Sequence, residues 1–189
     1  MLGAEQIRQA LAGQPSQRLE LGSLRPAAVL LPLFVKQGED HLLFTRRTEH
    51  LNHHRGEISF PGGARHGEDA DLLATALRES EEEMGIRPAD VEVLGRLSDF
   101  FSIHGYHVVP FVGRIPYPYP YRANPEEIAE VIELPLRRLL DPAIFRKEHW
   151  THQGRVHPVC FYTLERHEIW GLTAAILRQF LKLTFPGRH

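Results

Sequence analysis

The stretch that decides the fold begins Gly62-Gly63-Ala64-Arg65-His66-Gly67-Glu68-Asp69-Ala70-Asp71 and continues through the run Leu72 to Leu77. It closes with Arg78-Glu79-Ser80-Glu81-Glu82-Glu83-Met84-Gly85-Ile86. The spacing predicts a helix over residues 71–84, stopped by Gly85, which can take the left-handed conformation beyond a last helical turn. At about 100° per residue, Leu73, Leu77, Ser80 and Met84 share one face, and the helix should dock on it. Glu79, Glu82 and Glu83 follow an i, i+3, i+4 spacing and share another face, roughly 140° away. Docking on the first face leaves three carboxylates in a common space and Glu81 in solvent.

An ordinary cluster of glutamates is a solvated acidic face. This one occupies the last turn, where the helix dipole disfavours negative charge, so a compensating cation is expected. A donor set made only of oxygen selects a hard divalent ion, Mg2+ or Mn2+ rather than zinc. The Gly62-Gly63 pair ahead of the helix lets backbone approach a ligand closely. Arg78, beside Glu79, can hold a carboxylate in place through a bidentate contact.

Outward from this helix, periodicity gives a mixed α and β chain. A short helix is expected at 4–12, strands at 26–36 and 41–46, and a turn over Lys36-Gln37-Gly38-Glu39-Asp40. A short apolar piece, Ile58-Ser59-Phe60, runs into Pro61 and the glycines. Strands recur near 91–101, 106–115, 127–133, 143–150 and 156–164, and an apolar helix closes the chain from Ile169 to Leu183. The Pro116-Tyr117-Pro118-Tyr119-Pro120-Tyr121 run is expected as a loop, because its prolines cannot donate to a central ladder. Trp170 and the Leu172, Ile176, Leu177, Phe180 stripe are expected in the core. With no repeat or dividing linker, the chain is expected to be one domain, 1–24 a helical extension and 25–183 the core.

Composition bounds the function. The 189 residues carry 22 Lys+Arg against 24 Asp+Glu, which excludes the basic footprint of a general nucleic-acid binder. A hydrophobic content of 42% excludes wholesale disorder. The one cysteine, Cys160, excludes an intramolecular disulfide and a cysteine-based zinc site, and is expected as a buried strand residue. Neither an n-region with an apolar h-region nor a membrane-length apolar run is visible, so a cytoplasmic protein is expected. Twelve histidines form no His-Glu-x-x-His pattern; pairs such as His104/His107 and His149/His152 are expected to be scattered surface or hydrogen-bonding groups. The net charge of −2 is uneven: Glu68 to Glu83 sums to −6, leaving +4 elsewhere. A mildly basic shell around an acidic site suits a polyanionic small molecule.

A second block lies upstream: Leu42-Leu43-Phe44-Thr45-Arg46-Arg47-Thr48, then Arg55-Gly56-Glu57-Ile58-Ser59-Phe60-Pro61-Gly62-Gly63. Two adjacent arginines end a strand, and a loop with His50, His53, His54 and Arg55 leads to the glycines. A cationic rim beside an acidic metal site is what a phosphorylated ligand requires. Arg46, Arg47, Arg55, Gly62 and Gly63 are therefore the candidate substrate contacts.

Arg78 to Ile86, with the preceding glycines, resembles the Nudix box. Ser80 stands where an aliphatic residue is usual, and the first half departs: five residues separate Gly63 from Asp69, which replaces a Glu, and eight rather than seven separate Asp69 from Arg78. The upstream block resembles the extra signature of the coenzyme A pyrophosphatase branch of that family, with Asn52 in place of a basic residue and Thr48 in place of Ser or Ala. Segments 124–131 and 169–177 are similar to the same branch, so the likeness spans about residues 25–183.

The resemblance implies an α/β (α+β) fold, an α/β/α sandwich around a mixed β-sheet. It further implies cleavage of coenzyme A to 3′,5′-ADP and 4′-phosphopantetheine. Glu79 and Glu83, with Glu82 and the Gly63 carbonyl, would hold Mg2+ or Mn2+. Glu82 and Glu127 both remain open as the base. Two alternatives stand beside this reading. One is a pyrophosphatase for ADP-ribose, a dinucleotide or a nucleotide sugar; the other is a non-catalytic nucleotide-binding regulator. Monomer and homodimer are both open.

Overall fold

Helix α1 (Ala4–Ala12) forms where its periodicity places it and buries Ile7 and Leu11 in the main core. The computed structural model describes residues 2–13, 23–49, 55–152 and 154–188. His50, Asn52, His53 and His54 of the upstream loop lie outside the described residues.

After α1 come β1 (Arg25–Lys36), β2 (Glu39–Arg47), β3 (Ile58–Ser59) and β4 (Gly62–Ala64). Helix α2 (Leu72–Met84) follows, then β5 (Glu92–Arg96), β6 (Phe100–Phe101), β7 (Tyr106–Arg114) and β8 (Ile128–Pro135). The last part holds α3 (Leu136–Leu139), β9 (Phe145–His152), β10 (Arg155–Leu164), β11 (His167–Trp170) and α4 (Gly171–Thr184).

Strands β1 to β8 form one mixed sheet, in which β1 and β7 run parallel and the other pairs antiparallel. Its construction positions the site. On one edge β1 pairs with β7 from Arg25 to Leu33. On its other edge it pairs first with β4 (Ala27 to Val29 against Ala64 to Gly62), then with β2 (Leu33 to Lys36 against Leu42 to Glu39). Strand β2 likewise pairs with β1 at its start and with β3 at Thr45 and Arg46. The two long strands therefore splay, and residues 58–64 wedge between them. Pro32 falls where β1 changes partner, so its missing N–H costs the ladder no bond.

Both faces of this sheet are covered, which is why β1 and β2 read as nearly continuous apolar runs. Leu31, Leu33, Leu42 and Phe44 pack with Ile176, Leu177 and Phe180 of α4 in the larger cluster. Ala28 and Leu30 meet Ala76 of α2 on the opposite face, and Phe34 and Leu43 meet Met84 there. The result is the Nudix-type arrangement that the resemblance implies.

Three expectations need correction. Residues 91–101 form two short strands, because the chain leaves β7 between Arg96 and Phe100. Ile169 and Trp170 belong to a strand, captured by Tyr162 and Phe161 across the ladder, and the last helix starts at Gly171. Strands β9, β10 and β11 form a separate three-stranded antiparallel sheet. Helix α2 is also rotated from the face its leucines suggest: Thr75, Ala76, Ser80, Glu83 and Met84 are buried, while Leu73 and Leu77 are half-buried.

The Pro/Tyr run is a loop, with Tyr117 stacked on Phe34 at 5.1 Å and Tyr119 donating to Asp90 at 2.7 Å. Cys160 is buried in β10. No helix among the described residues is long and apolar enough to cross a membrane.

Candidate active site

Helix α2 starts at Asp71, whose carboxylate accepts from the Ala74 amide at 2.8 Å, and ends at Gly85, with φ +69. The cap fixes where the helix begins, and β4 lies against the side chains of Glu79 and Glu83. A Cβ on Gly62 would come within 2.3 Å of the Ala28 carbonyl oxygen. A Cβ on Gly63 would come within 2.6 Å of the Glu79 carboxylate. Bare backbone at Gly62 lets β4 lie against β1, and at Gly63 it leaves room for the Glu79 carboxylate. Gly63→Ala is therefore expected to leave the fold intact while displacing Glu79, lowering kcat about tenfold or more. Steady-state kinetics beside a melting curve checks this, and unchanged kcat would refute it.

The Glu83 side chain is 3% exposed. Its Oε1 accepts from Arg47 Nη1 at 3.3 Å and its Oε2 from the Gly62 amide at 3.2 Å. Burial pushes its carboxyl up to about 8, against the lowering effects of Arg47 and the Gly62 amide, with Glu79 and Glu127 reinforcing the rise. Glu79, 15% exposed, is also shifted upward by burial, which outweighs Arg78 at 2.9 Å. Glu82 behaves differently. It is 56% exposed and bonds to Arg78 Nη1 at 3.0 Å. Glu79 and Glu83 face the glycines, and Glu82, joined to Glu79 through Arg78 Nη1, sits on the rim of the same space.

Arg78 makes its bidentate contact with Asp69, not Glu79. Its Nε and Nη2 reach Asp69 Oδ1 and Oδ2 at 2.9 and 3.0 Å, and its Nη2 also donates to the Ala64 carbonyl at 3.2 Å. Asp69, 5% exposed, accepts in addition from Thr75 Oγ1 and the His66 amide, each at 2.9 Å. The hydrogen-bonded Arg78 guanidinium, chiefly, holds the Asp69 carboxyl well below the usual carboxylate range despite burial. The extra residue between Asp69 and Arg78 is absorbed because the contact needs reach rather than a fixed helical spacing. Ser80 compensates for its own polarity by donating to the Ala76 carbonyl at 2.7 Å.

The three candidate arginines do not converge. Neighbours on a strand point to opposite faces: Arg47 turns toward Glu83, and Arg46 toward Glu130 on the other face, with Nε 3.1 Å from Oε2. Arg46 and Arg55 line a cavity of about 330 Å³ with Glu57, Ile58, Arg166 and Trp170. Glu130 joins that corner together, also accepting from Arg166 at 2.6 Å and contacting His167 Nε2 at 3.2 Å. Trp170 is thus half-buried at a cavity rather than in the core. The strand alternation was the signal that could have separated Arg46 from Arg47.

Glu127 lies in the turn before β8, held by Asn124 Nδ2 at 3.3 Å. Asn124 also donates its main-chain N–H to the Glu83 carbonyl at 2.8 Å, joining the loop to the end of α2. Its place in Asn124-Pro125-Glu126-Glu127, a turn-forming sequence, was the available sign of that role. Of the histidines, His107 pairs with buried Asp99 at 2.8 Å and His41 contacts the Glu39 carbonyl at 3.0 Å. Among the described residues, no three His, Cys, Asp or Glu side chains are gathered into a ready metal cage. Glu79 and Glu83 alone fit Mg2+, which binds through one or two carboxylates and keeps water and phosphate oxygens as its other ligands.

A NUDIX domain model matches residues 24–158 of this sequence. The chain belongs to the Nudix family. It is 41% identical over 166 residues to the Nudix hydrolase NudL of Escherichia coli (strain SMS-3-5 / SECEC), itself described as uncharacterized, covering 88% of this chain and 86% of that relative. The counterpart in Shigella boydii serotype 18 matches equally. Among solved structures, the Nudix hydrolase RenU of M. smegmatis superposes with a TM-score of 0.52 at 21% identity, over 62% of this chain and 74% of that one. The Ap4A hydrolase of C. elegans does so at 0.51 and 18% identity, over 59% and 80%. These likenesses show the fold. As a Nudix hydrolase the chain is a pyrophosphohydrolase of nucleoside diphosphate derivatives, in a family that generally uses divalent metal ions.

Proposed function

We propose that this Nudix hydrolase cleaves the pyrophosphate of coenzyme A or its acyl derivatives, releasing 3′,5′-ADP and 4′-phosphopantetheine or its acyl form. One observation carries the reading: Arg47, Gly62 and Gly63, all from the block that resembles the coenzyme A signature, meet at Glu79 and Glu83. The signature and the Nudix box therefore build one site.

In this reading Glu79 and Glu83 hold Mg2+ or Mn2+, with the Gly63 carbonyl beside them. Bound there, the ion supplies charge neutralisation for the pyrophosphate and lowers the pKa of a coordinated water. Glu127 takes the proton of the attacking water, since its carboxylate lies near Glu83 and its bond to Asn124 leaves acceptor capacity. Glu82 is engaged by Arg78 and serves the outer edge of the site. Arg47 contacts a phosphate oxygen. Arg46 and Arg55, on the other face, are left to the more distant parts of the substrate.

Incubation with Mg2+ and a panel of coenzyme A, acetyl-CoA, NADH and ADP-ribose tests this. Release of 3′,5′-ADP from coenzyme A, at a kcat/KM at least about tenfold above the other nucleotides, is expected. Cleavage of ADP-ribose or NADH alone would move the chain to another substrate class. Tight binding without cleavage would make it a regulator.

A further inference from the structure

The two arginines of the site are held in opposite ways. Arg78 is saturated: it bonds both oxygens of Asp69, Glu79, Glu82 and the Ala64 carbonyl. Among the described residues, Arg47 makes a single contact to Glu83 at 3.3 Å, and its Nε is buried with no hydrogen-bond partner. A guanidinium has five donors in a fork built for bidentate contact, so Arg47 is under-used where it stands. It also sits at the irregularity of the β2–β8 ladder, where the register shifts between Arg46 and Arg47.

The Glu83 carboxylate has little room for two cations. Its Oε2 accepts from the Gly62 amide, its Oε1 from Arg47, and it is almost closed to solvent. The other charged groups near it, Glu79 and Glu127, are acidic. A divalent ion bound by Glu83 therefore competes with Arg47 for one oxygen and repels the guanidinium.

We infer that Arg47 is an exchangeable hydrogen-bond partner of Glu83, which a divalent cation displaces and a phosphate oxygen of the substrate then takes up. The inference rests on the metal-binding role proposed for Glu83 but not on the identity of the nucleotide. Arg47 accordingly weakens metal binding by itself and strengthens diphosphate binding once metal is present, so the two ligands favour one another through one side chain.

The test is Mn2+ titration, read by electron paramagnetic resonance, of wild type, Arg47→Gln, Arg47→Lys and Glu83→Gln. Arg47→Gln should bind Mn2+ about tenfold more tightly than wild type, and Arg47→Lys within about twofold of it. With Mn2+ saturating, Arg47→Gln should bind α,β-methylene-ADP about tenfold more weakly. An arginine with only a structural role would not move the two affinities in opposite directions. In wild type, the Arg47 side-chain 15N resonance should shift on Mg2+ addition while that of Arg78 stays, a readout that needs no variant to fold. Mn2+ binding no tighter in Arg47→Gln, or an Arg47 resonance indifferent to Mg2+, overturns the inference. Undiminished Mn2+ binding by Glu83→Gln overturns the metal assignment beneath it instead.

Discussion

Glu83→Gln is expected to lower kcat by about a thousandfold or more, because losing one charged metal ligand removes several kcal/mol of transition-state stabilisation. The same change should not unfold the protein. The Gln side chain can keep an oxygen on the Gly62 amide, and a neutral amide is cheaper to bury than a carboxylate that is 3% exposed.

The pH dependence has a definite sign. Burial raises the Glu83 carboxyl from the ordinary glutamate range to about 8, so the folded chain holds a proton that the unfolded chain has released. Its stabilising effect is full below the unfolded pKa of about 4.3 and is lost as pH rises through the folded value. In the presence of a chelator, Glu83→Gln should thus melt at or above wild type at pH 8, and the gap should close toward pH 4. A variant retaining wild-type kcat would show that Glu83 holds no essential metal. A variant that melts well below wild type at pH 8 would show that the Arg47 pair stabilises the fold more than burial costs it.

Asp69→Asn is expected to destabilise the protein by about 3 kcal/mol at pH 7, because removing one member of a buried ion pair leaves the other uncompensated. Breaking a buried pair costs about 3–5 kcal/mol, and the low end applies here, since Arg78 is 23% exposed and keeps Glu79 and Glu82. The titration runs opposite to that of Glu83. Arg78 depresses the Asp69 carboxyl, so its contribution is present above the unfolded pKa of about 3.9 and lost as pH falls through the lower folded value. Urea midpoints of wild type and variant should therefore lie far apart at pH 7 and converge below pH 4. Turnover should fall as well, because Arg78 orients Glu79. A stability difference under about 1 kcal/mol at pH 7 would reduce this pair to a surface contact.

The sequence was informative where the information is local. Helix α2 begins at Asp71 and stops at Gly85 because a side-chain cap and a left-handed glycine act within a few residues. The strands β1, β2, β7 and β10 were legible because their apolar runs are buried on both sides or alternate. Ile169 and Trp170 were misassigned to a helix because a short apolar run fits either period, and only pairing with Tyr162 and Phe161 decides between them. The wedge of residues 58–64 could not be read from a two-residue and a three-residue strand.

By itself the sequence determined the box of Glu79, Glu82 and Glu83, the glycines before it, and through them the Nudix family. Tertiary structure alone decided which carboxylates are buried and which is exposed. In the fold Glu83 is buried with an oxygen on the Gly62 amide, the Glu79 carboxylate lies against Gly63, and Glu82 is left on the rim. Asp69 became the anchor of Arg78 for the same reason: charges separated along the chain recognise one another by distance in space, which sequence spacing does not fix.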